Sequence, residues 1–142
     1  MASILNQLYV PAKSSHKGQN GKLLIIGGST KYHGAPVFSI LAARRFVDLV
    51  YFYPGEPDPC LIRAVKSIPE VIVVKDLALI NSVDCVLFGV GFGEAKFNIK
   101  ELLKAKRLVV DGDGFKLIRS KLVRKIIRNY NPEKRSIRRP YL

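Results

Sequence analysis

Cysteine and histidine are scarce in this chain. The 142 residues contain two cysteines, Cys60 and Cys85, and two histidines, His16 and His33. These residues lack the spacing of a disulfide framework or of a zinc site, so no metal is expected at them. Cys85 lies in an apolar strand pattern, which favours a buried thiol over a reactive one. For each histidine we expect a hydrogen-bonded side chain in a loop.

Several common sequence signatures are also missing. No apolar run is long enough to span a bilayer, and the N-terminus lacks the basic region and long apolar stretch of a signal peptide. The dinucleotide fingerprint G-x-G-x-x-G and the phosphate loop G-x-x-x-x-G-K-[ST] do not occur. Hydrophobic residues make up 48% of the chain, which excludes disorder, and the length fits one domain. We therefore expect a cytoplasmic globular protein without a membrane partner.

Acidic residues are few, with 11 Asp and Glu against 24 Lys and Arg. The excess is concentrated at residues 116–142, which hold ten basic residues and one acidic residue. A basic segment of this kind can bind nucleic acid. Because it contains few aromatic residues and no known binding module, nucleic acid is not the expected physiological partner.

Five short apolar runs recur at the spacing of an α/β fold, at residues 23–26, 49–53, 71–74, 85–88 and 108–110. They are continuous rather than alternating, as in strands that are covered on both faces. Helical patterns lie between them at residues 36–47, 60–67 and 97–104, with Pro36 in a first helical turn. The alternation predicts a mostly parallel sheet with helices on both faces.

Glycines and carboxylates collect in the loops after these strands. Right-handed crossovers place such loops along one edge of the sheet, where open α/β sheets bind ligands. Glycines stand on both sides of the first strand, and glycine lets a ligand approach the backbone closely. Residues 15–36 thus predict a nucleotide site. The loops read G-G-S at 27–29, P-G-E-P at 54–57, G-V-G-F-G at 89–93 and D-G-D-G at 111–114.

Each candidate side chain in these loops has two interpretations. Ser29 would bind a phosphate or cap its own turn. Asp111 and Asp113 would contact magnesium or a substrate hydroxyl, or act as a helix cap and a turn carboxylate. The 89–93 loop would bind phosphate or sugar, or form a tight strand-to-helix turn. No catalytic residue is indicated by these spacings.

Four blocks follow one another at intervals that fit a known family. They read H-K-G-x-x-G at 16–21, G-G-S-x-x-Y-x-G-A-P at 27–36, G-x-G-F-G at 89–93 and D-G-D-G-F at 111–115. Together they resemble the H-K-G-x-x-G, G-G-S-x-x-Y-x-G-A, G-P-G-L-G and D-A-D-A-L blocks of the ADP/ATP-dependent NAD(P)H-hydrate dehydratases. The similarity extends to about residue 118 and implies a truncated ribokinase-like fold.

The resemblance implies a repair reaction. Members of this family dehydrate NADHX and NADPHX to NADH and NADPH, using a phosphoryl group of ADP or ATP, with Mg²⁺, to make the ring hydroxyl a leaving group. By analogy, Ala35 and Gly91 contact the hydrate, and Gly34 and Ser29 belong to the same substrate-binding loops. The alternatives are a ribokinase-like small-molecule kinase and a non-catalytic remnant that binds nucleotide or nucleic acid.

The sequence departs from the family pattern in two ways. Val90 replaces a proline, and the T-P-H-x-G-E and G-T-G-D blocks, which carry the anion hole and catalytic aspartate, do not occur. We therefore expect little or no turnover from this polypeptide alone, and a complementing C-terminal half or a homo-oligomer as partner. Residues 119–142 are interpreted as a basic tail read out of frame, because codons for residues 129–132 shifted by one base are compatible with I-[IT]-T-P.

Overall fold

Five parallel strands form the centre of the computed structural model, which describes residues 9–118. The strand order in the sheet is β3-β2-β1-β4-β5, and every pairing is parallel. The five predicted strands and the parallel sheet are thus confirmed. The strands are β1 (Lys22–Gly27), β2 (Leu49–Pro54), β3 (Val71–Val73), β4 (Cys85–Val90) and β5 (Leu108–Val110).

Both faces of the sheet are covered, which explains the continuous apolar runs. Along β1, Leu24 and Ile26 point to one face and Ile25 to the other, and all three are fully buried. One helical layer packs through Ile40 and Leu61 on the Ile25 face. The opposite face is covered by other segments, which contribute Ile80, Leu102 and Ile118. The prediction of helices on both faces is confirmed.

The helices match the predicted positions with changes at their ends. The α-helices are α1 (Gly34–Ala43), α2 (Pro59–Lys66) and α3 (Gly114–Ile118). The segment predicted as a helix at 97–104 is a 3₁₀ helix, Ile99–Lys104. Within residues 9–118, none of the helices combines the length and apolar character needed to cross a membrane. The helical spacing predicted beyond residue 118 and the tail at 119–142 lie outside the described residues.

The start of α2 shows why the sequence folds this way. Asp58 precedes the helix, and its Oδ1 atom accepts a hydrogen bond from the Leu61 backbone N–H at 2.8 Å. Pro59 fills the first helical position, where its missing N–H has no cost. Helix α1 begins at Gly34 and ends at Ala43, so Pro36 does lie in its first turn.

The H-K-G-x-x-G block lies at the amino end of β1. Asp48 Oδ2 accepts hydrogen bonds from the backbone N–H groups of Gly18 and Asn20, both at 2.9 Å. These contacts, above all the one from the Asn20 backbone, lower the pKa of the Asp48 carboxyl. This block precedes β1 and the G-G-S loop follows it, so the two lie at opposite ends of the strand. Gly18 and Gly21 therefore serve the turn into β1. Of the glycines that flank β1, those at its carboxyl end border the candidate site.

Candidate functional site

The candidate site lies where the strand order reverses. Strand β1 is central, β2 lies on one side of it and β4 on the other. The loops that leave β1 and β4 therefore meet at the carboxyl ends of the strands, the usual ligand position in open α/β sheets. We call the surface formed there by residues 27–35 and 91–93 the candidate crevice and the two segments its walls, and the two segments contact each other.

Two predicted substrate-binding residues, Ala35 and Gly91, come together at this surface, and Gly34 directly precedes Ala35. Gly34 and Ala35 are the first two residues of α1. A Cβ atom placed on Gly91 would lie 3.0 Å from Ala35 Cβ and 3.2 Å from Tyr32 Cβ. Gly91 also has a φ angle of +59°, in the left-handed region that favours glycine. The two loops thus approach as closely as a residue without a side chain allows.

Hydrogen bonds of the Ser29 hydroxyl join the two walls. Its side chain is buried, and Oγ donates a hydrogen bond to the Gly91 carbonyl at 3.1 Å. The same Oγ accepts a hydrogen bond from the Tyr32 backbone N–H at 3.3 Å. Because the hydroxyl is engaged twice inside the protein, this arrangement favours the turn-capping interpretation over a phosphate contact.

Phe92 anchors the glycine loop in the core. Its side chain is fully buried, and its ring centroid lies 5.0 Å from that of Phe88 and 6.0 Å from that of Phe97. No role was predicted for Phe92 from the sequence. The available signal was an apolar residue between two glycines.

The loop after β2 supports the wall formed by residues 27–35. Glu56 Oε2 accepts hydrogen bonds from the Thr30 backbone N–H at 3.0 Å and from Thr30 Oγ1 at 3.1 Å. The Gly55 N–H donates to the Gly27 carbonyl at 2.8 Å. The 54–57 loop was predicted at this edge of the sheet. The hydrogen bonds between Glu56 and Thr30 were not predicted.

Asp111 and Asp113 occupy different environments. Asp111 is exposed, whereas Asp113 Oδ2 accepts a hydrogen bond from the Gly93 N–H at 3.0 Å. Asp113 Oδ1 lies 2.6 Å from Lys116 Nζ. The hydrogen bond and charge of Lys116 lower the pKa of Asp113, and the carboxylate in turn raises the pKa of Lys116. Both oxygens of Asp113 thus have protein partners, and a magnesium or substrate contact of Asp111 and Asp113 stays a prediction.

The histidines and cysteines do not form a metal centre among residues 9–118, where no group of three His, Cys, Asp or Glu side chains converges. His33 Nε2 lies 3.3 Å from Asp58 Oδ1 but is not aligned for a hydrogen bond, and this nitrogen is buried without a partner. A hydrogen bond through the other ring nitrogen of His33, Nδ1, stays a prediction. Cys85 is half-buried, and burial raises the pKa of its thiol, as the unreactive interpretation requires.

The strand order and the position of the candidate site at its reversal point define a doubly wound α/β protein. A ribokinase-like superfamily protein of Enterococcus faecalis shares the fold, with a TM-score of 0.64 and 22% identity over 78% of this chain and 43% of that one. A hypothetical protein of Streptococcus mutans matches with a TM-score of 0.65 and 27% identity, over 78% of this chain and 44% of that one.

The family follows from a match over residues 23–133 to the model described as NAD(P)H-hydrate dehydratase. The chain belongs to this family, which confirms the resemblance drawn from the four sequence blocks.

Curated relatives carry names from the same family. A bifunctional NAD(P)H-hydrate repair enzyme of Hyperthermus butylicus is 36% identical over 73% of this chain and 23% of its own length. An ATP-dependent (S)-NAD(P)H-hydrate dehydratase of Vitis vinifera is 28% identical over 75% and 39%, respectively. An ADP-dependent (S)-NAD(P)H-hydrate dehydratase of Cenarchaeum symbiosum is 56% identical over 30% and 16%. The chain thus spans well under half the length of these relatives.

Proposed function

We propose that this chain binds the hydrated nicotinamide ring of NADHX or NADPHX on the surface formed by the loops after β1 and β4, at the carboxyl ends of the strands. The observation that carries the proposal is the contact of Ala35 with Gly91, where a Cβ atom on Gly91 would lie 3.0 Å from Ala35 Cβ, because it leaves the exposed Ala35 methyl group beside a bare backbone. Tyr32, which is 43% exposed, adjoins Gly91 and adds an aromatic surface. A methyl group, a bare backbone and an aromatic ring suit a small, uncharged ring.

The second substrate in this proposal is a nucleotide. The names of relatives as ATP-dependent and ADP-dependent enzymes support ATP or ADP as the phosphoryl donor, accompanied by Mg²⁺ as the resemblance implies. The nucleotide supplies the phosphoryl group that makes the ring hydroxyl a leaving group. No described residue is assigned to the metal or to catalysis.

Turnover is assigned to a larger site than the described residues form. Because the T-P-H-x-G-E and G-T-G-D blocks do not occur in these 142 residues, we propose that turnover also needs the part of the relatives' length that this chain does not cover. The location proposed for this reaction is the cytoplasm.

Binding can be tested with a matched pair of helix α1 variants. Ala35→Val adds two methyl groups beside Gly91, and Ala42→Val makes the same change at an exposed position of the same helix. Calorimetric titration with NADPHX should show an affinity at least ~10-fold lower for Ala35→Val, the loss expected when extra methyl groups overfill a fitted site. Ala42→Val should bind like the unchanged protein. Equal affinities of the two variants would contradict the assignment of Ala35.

Turnover can be followed by the formation of NADPH from NADPHX. The chain would be assayed with ATP and with ADP, alone and mixed with the remaining portion of the Cenarchaeum symbiosum relative. NADPH formation that needs both polypeptides and a nucleotide supports the proposal. Phosphorylation of a sugar without NADPH formation would instead indicate the kinase alternative.

A further inference from the structure

The loop at residues 91–93 is held by hydrogen bonds at both of its ends. At one end, the Gly91 carbonyl accepts the bond from Ser29 Oγ described above. At the other end, the Gly93 N–H donates to Asp113 Oδ2 at 3.0 Å. Asp113 comes from the loop after β5, so the glycine loop is fixed by the loops of two other strands.

The Asp113 carboxylate is itself held in place. It directly precedes α3, and its other oxygen, Oδ1, pairs with Lys116 on the first turn of that helix at 2.6 Å. The Asp113 side chain is 26% exposed and the Lys116 side chain 78% exposed. An aspartate carboxyl is ionised at neutral pH, and Lys116 lowers the pKa of Asp113 further, so Gly93 donates to a charged acceptor.

We infer that Asp113 is a positioning residue that fixes the Gly93 amide and, through it, the Gly91 backbone that faces Ala35. The inference rests on the proposed function for its effect on hydrate binding. Both Asp113 oxygens already have protein partners, so the carboxylate acts through the loop and does not touch the hydrate. Only Phe92 lies between Gly93, which Asp113 contacts, and Gly91, so a displaced Gly93 displaces the Gly91 backbone as well.

The experiment compares Asp113→Ala, Asp113→Asn and the control Asp76→Ala. Asp113→Ala removes both contacts, whereas Asp113→Asn keeps an oxygen that can accept from the Gly93 N–H. Asp76→Ala removes a similar contact elsewhere, the 2.9 Å bond from the Ala78 N–H to Asp76 Oδ1 in an exposed turn. Each protein is assayed for amide hydrogen exchange at Gly93, NADPHX affinity and the urea midpoint of unfolding.

Asp113→Ala should raise the Gly93 exchange rate at least ~10-fold, the scale of a lost charge-assisted hydrogen bond. NADPHX affinity should fall while the urea midpoint stays near that of Asp76→Ala, and Asp113→Asn should recover most of the exchange protection. Unchanged Gly93 exchange in Asp113→Ala would overturn the inference. So would an affinity loss that merely follows the urea midpoint.

The two proposals fail separately in this experiment. If the unchanged protein does not bind NADPHX, the proposed function fails, but the exchange at Gly93 still decides whether Asp113 holds the loop. If the hydrate binds and Gly93 exchange does not respond to Asp113, the positioning role fails alone.

Discussion

A methyl group on Gly91 should cost more stability than the same group on Gly112, although both glycines have left-handed backbones. The φ angles are +59° at Gly91 and +46° at Gly112. A Cβ atom on Gly91 would lie 3.0 Å from Ala35 Cβ and 3.2 Å from the Tyr32 carbonyl oxygen. A Cβ atom on Gly112 would meet only the Gly89 carbonyl oxygen, at 3.8 Å. The pair separates backbone strain from crowding between the loops.

The magnitude follows from these two contributions. An alanine in the left-handed region costs about 1–2 kcal/mol at either site. At Gly91 the added contacts are shorter than the roughly 3.5–4.0 Å of optimal carbon contacts, and overpacking of this kind costs a further 1–3 kcal/mol or so. Gly91→Ala should therefore lose about 2–5 kcal/mol of unfolding free energy, and Gly112→Ala about 1–2 kcal/mol.

Equilibrium unfolding in urea measures the difference directly. Both variants should keep the slope of the transition, so that the shift of the midpoint reports stability. Equal losses for the two variants would refute the close approach of the loops after β1 and β4. NADPHX titration of Gly91→Ala adds a second readout, because a methyl group in the crevice should weaken hydrate binding as well.

Three further predictions concern the supports of the site and of the sheet. Phe92→Ala should lose about 3–5 kcal/mol of unfolding free energy in urea, since it empties a fully buried aromatic position. Phe92→Leu should lose less than about 1.5 kcal/mol. Similar losses for the two variants would contradict the anchor role. Ser29→Ala should lose about 1–3 kcal/mol of unfolding free energy because it leaves the Gly91 carbonyl without its hydrogen-bond donor. Ser29→Thr keeps a hydroxyl, so a loss as large as that of Ser29→Ala would indicate packing as the cause. The pKa of Asp48 is lower in the folded protein than in the unfolded chain. The Asp48 carboxylate therefore stabilises the fold fully above its pKa in the unfolded chain, and this contribution is lost as the pH falls through its pKa in the folded protein. Urea midpoints between about pH 7 and pH 3 should therefore fall less steeply in Asp48→Asn than in the unchanged protein.

The strands were predictable because their signal is local. Continuous apolar runs such as 23–26 and 85–88 are typical of strands that are covered on both faces, as in a parallel sheet between helices. The apolar spacing of residues 97–104 predicted a helix without fixing its type, and the short segment Ile99–Lys104 forms a 3₁₀ helix. The buried, unpartnered Nε2 atom of His33 was not predictable, because its surroundings depend on the position of Asp58 before α2.

The contacts among the proposed site residues were predictable only in part. Gly34, Ala35 and Gly91 could be named from motif blocks, but their contact depends on β4 lying beside β1. Phe92 and Glu56 were missed because their roles arise from neighbours that are distant in the sequence. Asp113 was singled out, but its partner Gly93 is 20 residues away and belongs to a different loop.

The sequence by itself determined the α/β class, the five strands, the glycine-rich loops at their ends and the family. Each of these features depends on short runs of neighbouring residues. The tertiary structure decided which glycines border the crevice, since strand direction puts Gly18 and Gly21 at one edge and Gly91 at the other. It also decided the partners of Ser29 and Asp113. Those contacts join residues 62 and 20 positions apart, and only the order of the strands brings them together.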